Sequence, residues 1–259
     1  MVSQVRISDC LFYNLAIGVA LDYCTNIWMT NLEASACDFG YAFTVSSDSN
    51  WSNCQAQNGS SYGFVFYDQA GTGAAGEGHR LVNCSTNGQA GGLIAYGTTW
   101  LSLVGCSMTT TSAASFYPLA LVEEGITLKP CSGIQVTGCQ FDCGNTSMPA
   151  VQTDATSSYI QFTNNLVAGS KWGMYLSGTN HIISSNTFTA NDDVDIVLND
   201  ASQCTVVANV AQSTGNAVSV LEAGALTTDY NTIVGNVLKG TITVVGANTV
   251  SANNVTSIP

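Results

Sequence analysis

The sequence predicts an all-β protein, a single-stranded parallel β-helix in which about ten short coils stack into a solenoid. Three observations support this prediction: one side-chain position recurs along the whole chain, each period contains two strand patterns, and the composition disfavours helices. Only 8% of the 259 residues are charged and four are Pro, a composition typical of strands joined by turns. Because no linker interrupts the repeat, we expect residues 1–259 to form one domain. An open alternative is a fragment that lacks its N-terminal cap.

The recurring position is a Cys or Asn that follows two or three alternating apolar residues. Its members are 18 to 33 residues apart, which gives a base period of a little over twenty residues with insertions. Stacked Asn amides can hydrogen-bond to one another and to a bend in the backbone, and Cys is small enough for the same site. The pattern therefore predicts an inward-facing Asn/Cys ladder. Its predicted members are Cys10, Asn31, Cys54, Cys84, Cys106, Cys139, Asn165, Asn186, Asn209, Asn236 and Asn254.

The chain has ten cysteines, which in a small secreted domain would suggest a set of disulfides. This chain is long enough to bury a core without them. Five cysteines occupy the ladder position, where Asn replaces them. We therefore expect most of the cysteines to be free thiols with a structural role.

A second apolar strand follows each ladder residue, and Gly often begins it. Alternation after the glycines at 18, 40, 63 and 173 places the first and third following residues inward, and the second and fourth outward. The fourth residues form one predicted outward column. In chain order this column contains Asp22, Thr44, Tyr67, Tyr96, Val122, Asp154, Ser177, Val197 and Leu221.

Charge and hydropathy exclude two classes of partner. Five Lys and Arg residues and a net charge of −12 cannot neutralise a row of phosphates, so a nucleic-acid partner is not expected. No apolar stretch approaches the roughly 20 residues that span a bilayer, so no membrane partner is expected. The first ten residues, MVSQVRISDC, also lack the organisation of a signal peptide.

The ladder, together with segments such as SNCQAQNGSSYGFVF and TIVGNVLKGTITVVGANTVSANNV, resembles the right-handed parallel β-helix proteins of the pectate-lyase-like superfamily, and among them bacteriophage tailspikes and tail fibres most. This resemblance implies a homotrimer on a virion tail or outside the cell that binds, and in some members depolymerises, a bacterial surface polysaccharide. The superfamily contains enzymes and binders alike. A non-catalytic structural or carbohydrate-binding module therefore stays open, as does a secreted polysaccharide lyase or hydrolase, although lyase motifs are absent.

Insertions in three periods, between Tyr67 and Ser158, indicate where a site would lie, because solenoid insertions often emerge on one functional face. Tyr67 and Tyr96 are expected on adjacent coils, about 4.8 Å apart, as a platform for a sugar ring or as ordinary cross-strand stacking. The first insertion ends with His79 and Arg80, which we expect to contact the substrate.

A pair of carboxylates is the predicted catalytic element. One coil combined with a two-residue offset puts the backbones of Glu124 and Asp154 roughly 8 Å apart, a separation that suits an inverting glycosidase. Glu123, Glu77 and Asp68 are alternative members, since loop conformation decides which acid reaches the cleft. The competing interpretation is that all are solvated acids on an acidic protein.

No cofactor is predicted from motifs. The alternative is a calcium ion held by Asp192, Asp193 and Asp195, because calcium prefers several carboxylate oxygens. His79 and His181 lack the spacing to Cys or carboxylate that is typical of a zinc site.

Overall fold

Three parallel β-sheets, A, B and C, run along the solenoid. The computed structural model describes residues 2–67, 77–111, 116–122, 130–144, 147–213, 218–224 and 229–256. Within these ranges the chain visits the sheets in the order A, B, C ten times and ends with one further strand in A and one in B. Strands pair in parallel with their counterparts one coil later. The predicted parallel β-helix is therefore confirmed.

Sheet A contains β1 (Val2–Ser8), β4 (Cys24–Thr30), β7 (Ser47–Ser52), β10 (Arg80–Val82), β13 (Ser102–Val104), β16 (Gln135–Thr137), β19 (Gln161–Thr163), β22 (Ile182–Ser184), β25 (Thr205–Val207), β28 (Thr232–Val234) and β31 (Val250–Ala252). Sheet B contains β2 (Leu11–Tyr13), β5 (Glu33–Ser35), β8 (Gln55–Gln57), β11 (Ser85–Gln89), β14 (Ser107–Thr110), β17 (Gln140–Cys143), β20 (Leu166–Ala168), β23 (Thr187–Thr189), β26 (Val210–Ala211), β29 (Val237–Leu238) and β32 (Val255–Thr256). Sheet C contains β3 (Ile17–Asp22), β6 (Phe39–Thr44), β9 (Tyr62–Tyr67), β12 (Gly91–Tyr96), β15 (Leu119–Val122), β18 (Pro149–Thr153), β21 (Trp172–Thr179), β24 (Val194–Ser202), β27 (Val218–Ala223) and β30 (Thr241–Thr243).

The glycines that begin the strands of sheet C mark a tight corner between sheets B and C. A Cβ at Gly40 would lie 2.6 Å from the Cβ of Ala56 and 2.6 Å from the carbonyl oxygen of Gly63. Only Gly fits there, because the side chain would point at an inward residue of sheet B and at the next coil. The corner explains why Gly recurs at this position in many of the coils.

The Asn ladder lies at the bend between sheets A and B, and its hydrogen bonds are those of a continuous stack. The Oδ1 atom of Asn209 accepts from the backbone N–H of Asn186 at 2.9 Å and from its Nδ2 at 3.0 Å. The Nδ2 atom of Asn209 donates to the carbonyl of Ile183 at 2.8 Å and to Oδ1 of Asn236 at 3.0 Å. Because the same contacts recur from coil to coil, they satisfy polar groups that the bend would otherwise bury unpaired.

One predicted ladder residue, Asn31, is wrong by one position. Leu32 is the buried residue of that coil, whereas Asn31 is exposed and has a positive φ of 55°. Asn31 instead donates to Asp9 at 3.0 Å and accepts from Asn53 at 3.2 Å on the outside of the bend. Asn suits both sites, because its short amide tolerates the left-handed conformation and also stacks inside.

The prediction that the cysteines are free thiols is confirmed, and all except Cys10 are buried. In the ladder, the thiols of Cys54 and Cys139 donate to the carbonyls two residues earlier, at 3.5 and 3.4 Å. The backbone N–H of Cys139 donates to Oδ1 of Asn165 at 2.9 Å, which joins the Cys part of the ladder to the Asn part.

Candidate functional site

The outer face of sheet C carries the aromatic residues predicted from the sequence, and its register can now be stated. Tyr67 pairs with Thr44 and Tyr96, and Tyr96 pairs with Val122, so this part of the predicted outward column is confirmed. The end of the column is wrong. Val197 pairs with Tyr175 and Leu221, two residues away from the predicted position. The counting failed because these coils have no Gly at the start of the strand.

Tyr67 and Tyr96 are neighbours, but their rings do not form a flat platform. The ring centroids lie 5.6 Å apart with an interplanar angle of 69°, an edge-to-face contact. Beside them, Tyr62 makes a second edge-to-face contact with Phe116, at 5.1 Å. Partial burial in this apolar surface raises the pKa of Tyr96. In these coils the outer face of sheet C is therefore rich in tyrosine rings that are partly buried against neighbouring aromatic residues.

A groove of about 360 Å³ opens on the same face, three to five coils further along. Its residues are Trp172, Tyr175, Asp193, Val194, Val197, Leu221 and Ala223. The rings of Trp172 and Tyr175 lie 5.3 Å apart, tilted by 42°. The Nε1 atom of Trp172 donates to Asp193 at 3.0 Å, and Nζ of Lys171 lies 4.3 Å from the ring centroid. Two oriented aromatic rings with a carboxylate and an ammonium group at the rim suit a polyhydroxylated ligand.

The carboxylate of Asp154 organises the loop after β18. Its Oδ1 atom accepts from the backbone N–H of Thr156 at 3.2 Å and of Ser157 at 3.0 Å, and from their hydroxyls at 3.1 and 2.7 Å. Four donors on one oxygen hold the carboxylate in the turn. The contacts describe a structural role, and the predicted catalytic role of Asp154 stays a prediction.

The other predicted catalytic and binding residues are dispersed. Glu77 is exposed and forms an isolated bridge with Thr99, and Arg80 is exposed on β10 in sheet A. Both therefore lie outside the aromatic face of sheet C. Asp68, Glu123 and Glu124 lie outside the described residues.

His79 is buried, and this location argues against the predicted contact with substrate. Its ring packs against Phe66, with centroids 4.7 Å apart and an interplanar angle of 36°. The Ser49 hydroxyl accepts from Nε1 of Trp51 at 2.7 Å and lies within hydrogen-bond distance of Nδ1 of His79, at 2.6 Å. Burial lowers the pKa of His79 to about 3 and also lowers the pKa of His181. Both imidazoles are therefore neutral parts of the core at pH 7.

We expect acid to destabilise the protein through these histidines. As the pH falls, a buried His with a lowered pKa is protonated in the unfolded chain before it is protonated in the folded one. Its contribution to stability is therefore fully present above about pH 6.5 and is lost as the pH falls towards 3. Between pH 7 and pH 5, His79 alone should remove about 2 kcal/mol of unfolding free energy. Urea unfolding at pH 7 and at pH 5 measures this difference in the free energy of unfolding.

The control for this prediction is His79→Leu, because Leu101 follows His79 at the equivalent inward position one coil later. The variant should lose about 2 kcal/mol less than the wild type over the same pH interval. Equal pH dependence in both proteins would contradict a neutral, buried His79.

The three aspartates considered for calcium do not converge. Asp195 is buried and accepts from Asn191 at 3.0 Å and from the hydroxyl of Ser213, whereas Asp193 accepts from Trp172 at the groove. Asp192 is exposed. Among the residues that the structure describes, no three His, Cys, Asp or Glu side chains group as metal ligands would. Nor does any helix there have the length and apolar character required to cross a membrane.

The coil order, the ladder and the parallel sheets define a right-handed parallel β-helix, and residues 2–108 match the family described as right handed beta helix region. Residues 118–258 match the family described as periplasmic copper-binding protein (NosD). This second match spans more than half of the chain, so the chain belongs to that family. No curated protein matches the sequence.

Solved structures of an epimerase, a glucanase and a phage tailspike share the fold. The mannuronan C-5 epimerase AlgE6 A-module of Azotobacter vinelandii is 15% identical with a TM-score of 0.73, and the match covers 91% of this chain and 65% of the epimerase module. The GH87 alpha-1,3-glucanase of Streptomyces thermodiastaticus is 13% identical with a TM-score of 0.72, covering 99% of this chain and 50% of the glucanase. Tailspike protein 3 of bacteriophage CBA120 is 17% identical with a TM-score of 0.60, covering 92% of this chain and 44% of the tailspike. This chain thus spans less than two thirds of each.

The described residues do not fit the copper site that the NosD description implies. Both ring nitrogens of His181 are engaged, Nε2 at 2.8 Å from the carbonyl of Ser177 and Nδ1 at 3.3 Å from the N–H of Ile160. The four cysteines in the matched region are buried, and the thiol of Cys131 donates to the carbonyl of Ala95 at 3.4 Å. Copper prefers imidazole and thiolate ligands that can be deprotonated and reached together.

Proposed function

We propose that this protein is an extracytoplasmic β-helix that binds a polysaccharide along the outer face of sheet C, with the groove at Trp172 and Tyr175 as the central subsite. The observation that carries the proposal is the pair of oriented rings above an aliphatic floor. The C–H faces of a sugar ring pack on such rings, while its hydroxyls bond to the rim groups Asp193 and Lys171. The shared fold with a glucanase, an epimerase and a tailspike supports the same class of ligand.

The charge of the chain narrows the class of glycan. With five cations and a net charge of −12, the surface repels a chain of carboxylates or phosphates. At the groove, the ammonium group of Lys171 shares the rim with the carboxylate of Asp193, which would repel an anionic sugar. We therefore propose a neutral glycan rather than a uronic-acid polymer.

The test compares the wild type with the double variant Trp172→Ala/Tyr175→Ala. Calorimetry measures the affinity of each protein for dextran, soluble starch, β-1,3-glucan, hydroxyethylcellulose and alginate. Loss of both rings should weaken the best neutral ligand at least tenfold, because each ring contributes of the order of 1 kcal/mol. The matched control is Tyr13→Ala, a side chain 67% exposed in the first coil, which should bind as the wild type does. Unchanged affinity in the double variant, or preference for alginate, would contradict the proposal.

The narrower proposal, a trimeric tailspike on a virion tail, is supported by the likeness to the CBA120 tailspike and by the sequence resemblance. Depolymerisation is proposed with it, through Glu124 and an acid partner. The mass of the protein in solution tests the trimer, and new reducing ends after incubation with the bound glycan test the enzyme. A monomer that leaves the glycan intact would reduce the proposal to a binding module.

A further inference from the structure

A column of left-handed residues lies at the turn from sheet C to sheet A, on the outside of the solenoid. Each of the members named below has a φ between 54° and 76°, a conformation that suits Gly and Asn and disfavours bulky side chains. Three members are nevertheless aromatic and exposed: Trp100 (66%), Tyr159 (62%) and Tyr230 (62%). The column contains Asn26, Asp48, Gly78, Trp100, Gly133, Tyr159, Asn180, Gln203 and Tyr230.

Two of these aromatic residues belong to one surface. The bridges from Thr99 to Ser132 and from Ser132 to Ser158 put Trp100, Gly133 and Tyr159 on three consecutive coils. Trp100 and Tyr159 are thus two coils apart, or roughly 10 Å at the strand spacing. Each coil advances by about the length of one sugar residue. The pair therefore matches every second residue of a polysaccharide that runs along the solenoid.

The indole of Trp100 lies flat on Gly133. A Cβ added to Gly133 would lie 3.0, 3.2 and 3.3 Å from Cε3, Cζ3 and Cδ2 of the ring, so the face of the indole, not its edge, covers this glycine. The opposite face is left open to solvent, in agreement with the 66% exposure of the side chain. A larger residue at 133 would push the ring away from this position.

The described neighbours of the pair in sheet A are polar and mostly uncharged. In sheet A, the outward residues of the neighbouring strands are Arg80, Ser102, Gln135 and Gln161, aligned in one register. Isolated rings among amides and hydroxyls do not form the contiguous apolar patch of a protein interface. Amides beside a ring face are, however, suited to the hydroxyls of a sugar that stacks on the ring.

We propose that Trp100, Gly133 and Tyr159, with Gln135 and Gln161, form a second polysaccharide-binding surface, separate from the groove on sheet C. The ligand is a neutral glycan chain parallel to the solenoid axis, with sugar rings stacked on Trp100 and Tyr159. Only the class of ligand rests on the proposed function; the surface itself rests on the strained, exposed aromatic pair.

The test uses Trp100→Asn/Tyr159→Asn in the full chain, because Asn already occupies this column at positions 26 and 180 and adopts the same φ. Folding should therefore be kept, with a melting temperature at or above that of the wild type. Affinity for the best neutral glycan of the same panel should fall about tenfold. The matched control is Tyr230→Asn, an equally exposed ring in the same column three coils beyond Tyr159, which should leave affinity unchanged.

The two surfaces are separated by comparing the variants with Trp172→Ala/Tyr175→Ala. If the Asn variant binds as tightly as the wild type while the groove variant does not, the second surface is overturned and the proposed function stands. If the Asn variant alone loses affinity, the second surface stands and the groove does not. Failure of the wild type to bind any neutral glycan of the panel would overturn both.

Discussion

Replacing Asn209 by Ala is expected to lower the free energy of unfolding by about 3 kcal/mol. The change removes the acceptor of the Asn186 backbone N–H and the donor to the Ile183 carbonyl, and both groups are buried at the bend. A buried polar group that loses its partner costs about 1–3 kcal/mol. It also interrupts the amide stack, since Asn236 loses the donor from the preceding coil. Urea unfolding at pH 7 gives the measurement.

Asn209→Cys is the informative second variant, because Cys occupies the same ladder site in four coils between Cys54 and Cys139. There the sulfur also serves as an acceptor: the N–H of Cys106 lies 3.4 Å from Sγ of Cys139. We expect the Cys variant to lose about half as much stability as the Ala variant, since the thiol is a weak acceptor. Gln140→Ala, at an exposed position, should change stability by less than about 0.5 kcal/mol. Equal losses for Ala and Cys at 209 would show that the thiol replaces neither the volume nor the hydrogen bonds of the amide.

The fold could be predicted because a solenoid repeats the same physical problem in every coil. Each bend buries backbone polar groups, and the residues that solve this problem recur at a period that can be counted. The register failed where two positions accept the same residue. Asn31 and Leu32 are adjacent, and Asn is favoured both at the exposed left-handed position and in the ladder. The residue type alone therefore does not show which of the two positions an Asn occupies.

The candidate site was harder to predict for a related reason. A second inward column contains Ser49, His79, Leu101, His181 and Asn231, so no shared residue type marks it. The sequence predicts a substrate contact for His79 because it ends the first insertion, and the mixed column gives no sign that this residue belongs to the core. The groove at Trp172 and Tyr175 had one signal, two aromatic residues flanking the corner at Gly173. The sequence also carries a signal for the exposed ring of Trp100, because a bulky residue there directly precedes an inward apolar position at a bend.

Glu222 is the residue for which the structure predicts the second large effect. It faces the interior next to Leu198, an unusual environment for a carboxylate, and is almost completely buried. Oε2 accepts from the backbone N–H groups of Val245 at 2.8 Å and Gly246 at 3.0 Å. Oε1 accepts from Asn231 at 2.9 Å and from the Thr249 hydroxyl at 2.7 Å. Four donors, all of them uncharged, thus hold the carboxylate.

Glu222→Ala should therefore destabilise the protein by about 3 kcal/mol or more, because these donors lose a charged acceptor. The loss should begin locally, since the carboxylate ties the segment after β30 to the preceding coil, together with Asp229, which accepts from Asn248 at 2.7 Å. Hydrogen exchange of the Val245 and Gly246 amides should accelerate before that of the Asn ladder. Glu222→Gln should be less harmful because it keeps one acceptor oxygen, and Asp22→Ala, an exposed acid on the same sheet, should be nearly neutral. Unchanged exchange at Val245 in the Ala variant would mean that the last coil is held by its β pairing and not by Glu222.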